Sequence, residues 1–145
     1  MTIVGEHANT IKLSGLLLLV ANTASQACEV PETLAGRELT NGVDAHYSPS
    51  NPNAGSIVQV KLSTGTYTLE VLGTDVVAVG EYTYQKLHDT VGFLSMREEH
   101  PLGPSEYSLT LTCFNDSSGT MVFSQSRGPI KPDARQNTGR YNIVR

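Results

Sequence analysis

From Leu34 onward, apolar and polar side chains alternate in short runs broken by turn residues, and no stretch carries a helical stripe. Successive side chains of a strand point to opposite sides, so such runs read as half-buried strands. The pattern predicts strands over Leu34–Thr40, Ser56–Leu62, Thr66–Leu72, Val76–Lys86, Val91–Arg97, Tyr107–Phe114, Thr120–Gln125 and Gly139–Val144. Ser63-Thr64-Gly65 and the run Asn115 to Gly119 supply the Gly, Asn and Asp that hairpin turns require. Two longer connections, Asn41 to Gly55 with Pro49 and Pro52 and Ser126 to Thr138 with Pro129 and Pro132, are where a mouth or lid is expected.

Alternation also sorts the faces. One side collects Tyr67, Leu69 and Val71, then Tyr82 and Tyr84, Val91 and Phe93, Tyr107, Leu109, Leu111 and Cys113, Met121 and Phe123, and Tyr141 and Ile143. The other side carries Thr66, Thr68, Glu70, Thr83, Gln85, Ser108, Thr110 and Thr112. A sheet apolar on one side must close on itself or find a cover, and no covering helix is encoded. The expected fold is therefore all-β, a single antiparallel up-and-down barrel of about eight strands, with a β-sandwich as the alternative.

The N-terminal residues have a different pattern. Lys12 precedes an apolar run from Leu13 to Ala21, followed by small and polar residues ending in Ser25-Gln26-Ala27. This is the layout of an export signal, and the run is well short of the ~20 residues that span a bilayer. The expectation is a signal peptide over 1–27, cleaved after Ala27, and one barrel domain over 28–145, secreted or periplasmic. Glu6 favours the competing reading, a buried N-terminal helix. Cleavage there makes Cys28 the first mature residue, which raises lipidation and hence membrane attachment, although Ser25 stands where a lipidation motif wants Leu. A Cys28–Cys113 disulfide competes with it. Cys113, which follows Leu109 and Leu111 at alternate positions, also fits as a plain buried thiol.

Composition narrows the function. The formal net charge is -4 and the 10 Lys and Arg are scattered, so no basic surface for nucleic acid is expected. Charged residues make up only 17% while turn residues abound, as short strands require.

Gly80-Glu81-Tyr82-Thr83-Tyr84, the run Tyr107 to Phe114, Ser118-Gly119-Thr120 and the closing Gly139-Arg140-Tyr141-Asn142-Ile143 resemble small bacterial secreted β-proteins built on G-x-Y-x-Y, L-x-L-x-F and S-G-T hairpins. The set is similar to lipocalin-like (calycin-like) barrels, although the chain has no Trp and so lacks the lipocalin G-x-W signature. The resemblance implies a fold and little about activity.

Candidate chemistry is sparse. There is no phosphate-binding Gly loop, nucleophile elbow, H-E-x-x-H or C-x-x-C. No metal site and no cofactor are expected. Glu98-Glu99-His100 reads as a solvated loop, and His46-Tyr47 belongs to the Pro-rich loop. His88, beside Asp89, and Glu81 are the candidates for proton transfer at a barrel rim. Five tyrosines fall on the apolar side, and a buried phenol without a partner costs roughly 1–3 kcal/mol. An interior that holds a small molecule would supply partners. The leading reading is an exported barrel binding a small apolar or amphipathic ligand among Tyr67, Tyr82, Tyr84, Phe93, Leu109, Leu111, Phe123 and Tyr141. The alternatives are a cofactor-free isomerase or cyclase using the barrel as a reaction chamber, and a structural or protein-interaction component of the envelope.

Overall fold

The computed structural model describes residues 28–100, 103–129 and 131–144. The proposed signal peptide, 1–27, lies outside the described residues. Eight strands follow one another around a closed antiparallel up-and-down barrel: β1 Glu38–Val43, β2 Ile57–Leu62, β3 Thr66–Val71, β4 Val77–His88, β5 Val91–His100, β6 Gly103–Asn115, β7 Ser118–Arg127 and β8 Arg135–Val144. β8 pairs with β1, Tyr141 opposite Asn41, so the sheet has closed on itself and the sandwich alternative is excluded. We call the end carrying the β1–β2, β3–β4, β5–β6 and β7–β8 connections the upper end.

Alternation explains why the wall closes. Leu39, Val60, Leu62, Tyr67, Tyr82, Leu94, Met96, Leu109, Leu111, Met121, Tyr141 and Ile143 form one buried cluster inside. Each fully buried Leu contributes about 1.5–3 kcal/mol. The outer wall carries Lys61, Glu70, Glu81, Arg97 and Glu99, all exposed. Exposed apolar side chains share that wall, among them Ile57, Val77 and Val79.

The expected parity, given for β3 to β8, holds in each of them but β5. There Phe93 lies opposite Gln85 and Thr110 on the outer wall, while Gly92, Leu94 and Met96 face in, Leu94 opposite Tyr84 and Met96 opposite Tyr82. Phe93 therefore leaves the expected ligand set, and Val91 shares its outward parity. A register shift between Lys86 and His88 sits at the β4–β5 hairpin.

Inward glycines make room for large side chains. Gly80 stands directly opposite Tyr67, and a Cβ on Gly80 would meet the Tyr67 hydroxyl at 2.7 Å and its ring at 2.8 Å. The missing side chain lets the Tyr67 ring lie across β4. In the hairpin between β2 and β3, Gly65 takes φ 76°, which explains a glycine at that turn.

Candidate functional site

The interior is not uniform along the barrel axis. In the lower half, Leu39, Leu62, Leu94, Leu111 and Ile143 are buried, and the chain preceding β1 closes the lower mouth with Val30 and Leu34. Toward the upper end, the inward residues Val58, Leu69, Val71, Phe123, Glu98, Arg135 and Asn137 are only half-buried. Among the described residues the interior is thus packed and closed below and only partly covered above.

The ladder brings the polar groups of the upper half together. Tyr67, Gly80, Glu98 and Ser105 occupy one row across β3, β4, β5 and β6. Arg135, Gln125, Tyr107 and Met96 occupy a second across β8, β7, β6 and β5. The Tyr67 and Tyr107 hydroxyls lie 2.8 Å apart. Both reach Glu98 Oε2, Tyr67 at 3.1 Å and Tyr107 at 3.4 Å. Two hydroxyl protons serve three contacts, so one tyrosine donates to its neighbour while the other donates to the carboxylate. Phe123 packs against the Tyr107 ring at a centroid distance of 5.2 Å.

Burial dominates the electrostatics here. It pushes the Tyr67 phenol up, a tendency the Tyr107 hydrogen bond opposes and the Glu98 charge reinforces. Tyr107 is held well above the ordinary phenol value by burial first and by Glu98 second. Burial lowers the Arg135 guanidinium, and the attraction of Glu98 works against that lowering. Among the described residues no ion pair joins Arg135 to Glu98. Arg135 Nε, Asn137 Oδ1 and Asn41 Oδ1 are buried without a protein partner. Gln125 is satisfied, donating to the Asp133 carbonyl at 2.8 Å. The chamber thus offers an acceptor at Glu98, a donor at Arg135, and a tyrosine pair able to do either.

Of the residues expected to line a ligand site, only Tyr67 and Phe123 reach this chamber. Leu109, Leu111 and Tyr141 belong to the packed core, Leu111 being wholly buried. Tyr82 donates to the Ser63 carbonyl at 2.7 Å, and Tyr84 to the Pro31 carbonyl at 2.7 Å. These phenols are satisfied by backbone and need no ligand. His88 and Glu81 are both exposed, Glu81 on the outer wall between Thr66 and Arg97, so neither serves proton transfer inside the barrel. His46 lines an open cleft of about 470 Å³ beside β7 and β8, with Asp44, Ser48, Asn51 and Val122. Cys28 and Cys113 are joined in a disulfide, which consumes the sulfur that a lipid thioether on Cys28 would need.

Glu98, Arg135 and Asn137 were not among the expected site residues. The signal for Glu98 was the continuation of Leu94 and Met96 by two, and for Arg135 and Asn137 the continuation of Gly139 and Tyr141 backwards.

No family model, curated protein or solved structure matches the chain.

Proposed function

We propose that the protein is an exported binding module that takes the polar end of a small amphipathic molecule into the upper chamber of the barrel. One observation carries the reading: Arg135 and Glu98 share a half-open interior without pairing, and Arg135 Nε is buried with no partner. Opposite charges left apart in a concave site favour a ligand group that accepts from the guanidinium and donates to the carboxylate, as a primary amide does. Val58, Leu69, Val71 and Phe123 supply apolar wall for its short hydrocarbon part. The packed lower half limits how deep that part can run.

The disulfide supports an oxidising address outside the cytoplasm. The closed eight-stranded meander is in keeping with the lipocalin-like resemblance, with the ligand held at one mouth.

Calorimetric titration with octanamide tests the reading. Binding is expected to the unmodified protein, and to weaken about tenfold or more in Arg135→Met and in Glu98→Gln, since a charged hydrogen bond carries about 1.5–3 kcal/mol. Equal affinity in all three proteins, or no binding to any, would remove the chamber as the site.

A further inference from the structure

The chain from Cys28 to Arg37 forms no strand and lies across the lower mouth as a strap. Beyond the Cys28–Cys113 bridge, its Glu29 amide donates to the Asp116 carboxylate at 3.0 Å and its Val30 amide to the Asp89 carbonyl at 2.7 Å. Further along, the Pro31 carbonyl accepts from Tyr84, and the Gly36 amide donates to the Leu62 carbonyl at 2.7 Å. The strap therefore runs from the β6–β7 end of the mouth, past β4 and β5, to β2.

What the strap places in the mouth has a definite chemistry. Val30 and Leu34 are each 1% exposed, and Leu34 joins the core cluster. Lys86 faces the mouth from the lower end of β4 with its side chain 13% exposed, and its ammonium meets Glu29 at 2.5 Å and Glu32 at 2.6 Å. Asp89 stands at 3.6 Å. Both strap carboxylates remain largely in solvent, so they are set on the rim while the strap's aliphatic side chains fill the interior. A carboxylate on Lys86 joined to a hydrocarbon reaching inward is the outline of an apolar carboxylate.

We propose that the strap occupies, within the same chain, a second binding site at the lower mouth for an apolar carboxylate, and that opening the Cys28–Cys113 bridge makes this site available. The opening step is exchange with a dithiol reductant. One thiolate of the reductant attacks a bridge sulfur and forms a mixed disulfide, and its second thiol then displaces the protein. The bridge gains two electrons and two protons and becomes two cysteine thiols, while the reductant becomes a disulfide. With the bridge closed, the strap is fixed at Cys113 on one side and at β1 on the other, so its effective concentration over Lys86 excludes a free competitor. With the bridge open, one anchor remains and a soluble carboxylate competes.

The test is calorimetric titration with sodium octanoate in the Arg135→Met background, which removes the guanidinium of the upper chamber. The bridged protein and the same protein reduced with dithiothreitol are compared. Reduced protein is expected to bind octanoate at least tenfold more tightly than bridged protein, to show no gain in octanamide affinity on reduction, and to lose the octanoate gain when Lys86→Met is added. Folded reduced protein that fails to bind, or that binds equally with Lys86→Met, overturns the proposal. Should reduction unfold the domain, the bridged Glu29→Gln, Glu32→Gln, Leu34→Ala variant replaces it. Octanoate binding by that variant supports the masked site, and its absence overturns it.

Discussion

The Tyr67 and Tyr107 hydroxyls, 40 residues apart in the chain, meet at 2.8 Å inside the barrel with Glu98 beside both. The contact depends on register: Tyr67 is opposite Gly80, Gly80 opposite Glu98, and Glu98 opposite Ser105, two residues from Tyr107. In a buried setting each hydroxyl is worth more paired than its removal recovers. Tyr67→Phe and Tyr107→Phe are each expected to lower stability by about 1–3 kcal/mol. Because the groups share protons, the double variant should lose less than the sum, with a coupling of about 0.5–3 kcal/mol. Urea unfolding of the four proteins measures it, and strict additivity would mean that the three groups are not one network.

The residues that carry this network show what the sequence could and could not reveal. Strand existence was plain, because Leu109, Leu111 and Cys113 alternate with Ser108, Thr110 and Thr112. Parity was ambiguous in β5, where Val91 and Phe93 are apolar on one side and Leu94 and Met96 on the other. Only pairing with Tyr82 and Tyr84 resolves it, and pairing is a long-range fact. The apolar pattern also stops short of the true strand ends, for a related reason. β5 continues through Glu98 and β8 begins at Arg135 because a barrel mouth tolerates inward polar side chains that an apolar pattern does not anticipate. Those polar strand ends hold the candidate site. The pattern also begins the first strand too early, at Leu34: that residue is buried, but from the strap, and β1 itself starts at Glu38.

Gly80 tests the packing that positions Tyr67. An added methyl would collide with the Arg97 carbonyl, a backbone atom, as well as with the Tyr67 side chain. Gly80→Ala is expected to destabilise by about 1–3 kcal/mol, the usual range for overpacking. Gly42, on β1, has nothing within 4 Å of the same position and serves as the control. Gly42→Ala should stay within about 0.5 kcal/mol of the parent in thermal unfolding. Similar losses at both positions would show that strand glycines matter here through backbone freedom rather than through the Tyr67 contact.

Alkaline pH should unfold the barrel from within. Tyr141 is pushed up to about 12 from the ordinary 10.0, by burial first and by the neighbouring Tyr84 charge second, and Tyr67 and Tyr107 are shifted in the same direction. The folded state therefore holds protons that the unfolded state releases, so stability is full below pH 10 and falls as pH rises through 10 to 12. Tyr141→Phe should flatten that fall while leaving the decline due to the Tyr67 and Tyr107 pair. Urea midpoints across this range check it, and a midpoint that holds steady up to pH 12 would contradict the buried setting of these phenols.

Closing the chain at the lower mouth should be a large stabilising contribution. The Cys28–Cys113 bridge spans 85 residues, and loop-closure entropy for such a span corresponds to about 4–5 kcal/mol of destabilisation of the unfolded chain. Leu34→Ala, which leaves the bridge intact, removes a buried side chain from the same strap and is expected to lose about 2–5 kcal/mol. The two act on different states, the bridge on the unfolded ensemble and Leu34 on the folded one. If opening the bridge also frees the strap in the folded state, the two losses are not additive and Leu34→Ala loses less in reduced protein, whereas equal losses in both redox forms would show that the strap stays seated without its bridge.

Arg135 separates stability from binding. A guanidinium whose Nε is buried without a partner, and whose charge burial disfavours, contributes little to folding where it stands. Glu98 attracts it across the chamber without an ion pair, and the half-open position screens that attraction. Met is close to the Arg stem in length, is flexible enough to fill irregular space and carries no charge to desolvate. Arg135→Met is expected to leave stability unchanged or to raise it by up to about 1 kcal/mol, while weakening octanamide binding about tenfold. A residue kept for folding would show the opposite pairing, a loss of stability with binding intact. Thermal unfolding and titration of the same preparation distinguish the two, and a fall in stability beyond about 1 kcal/mol would place Arg135 in the architecture of the barrel instead of in its site.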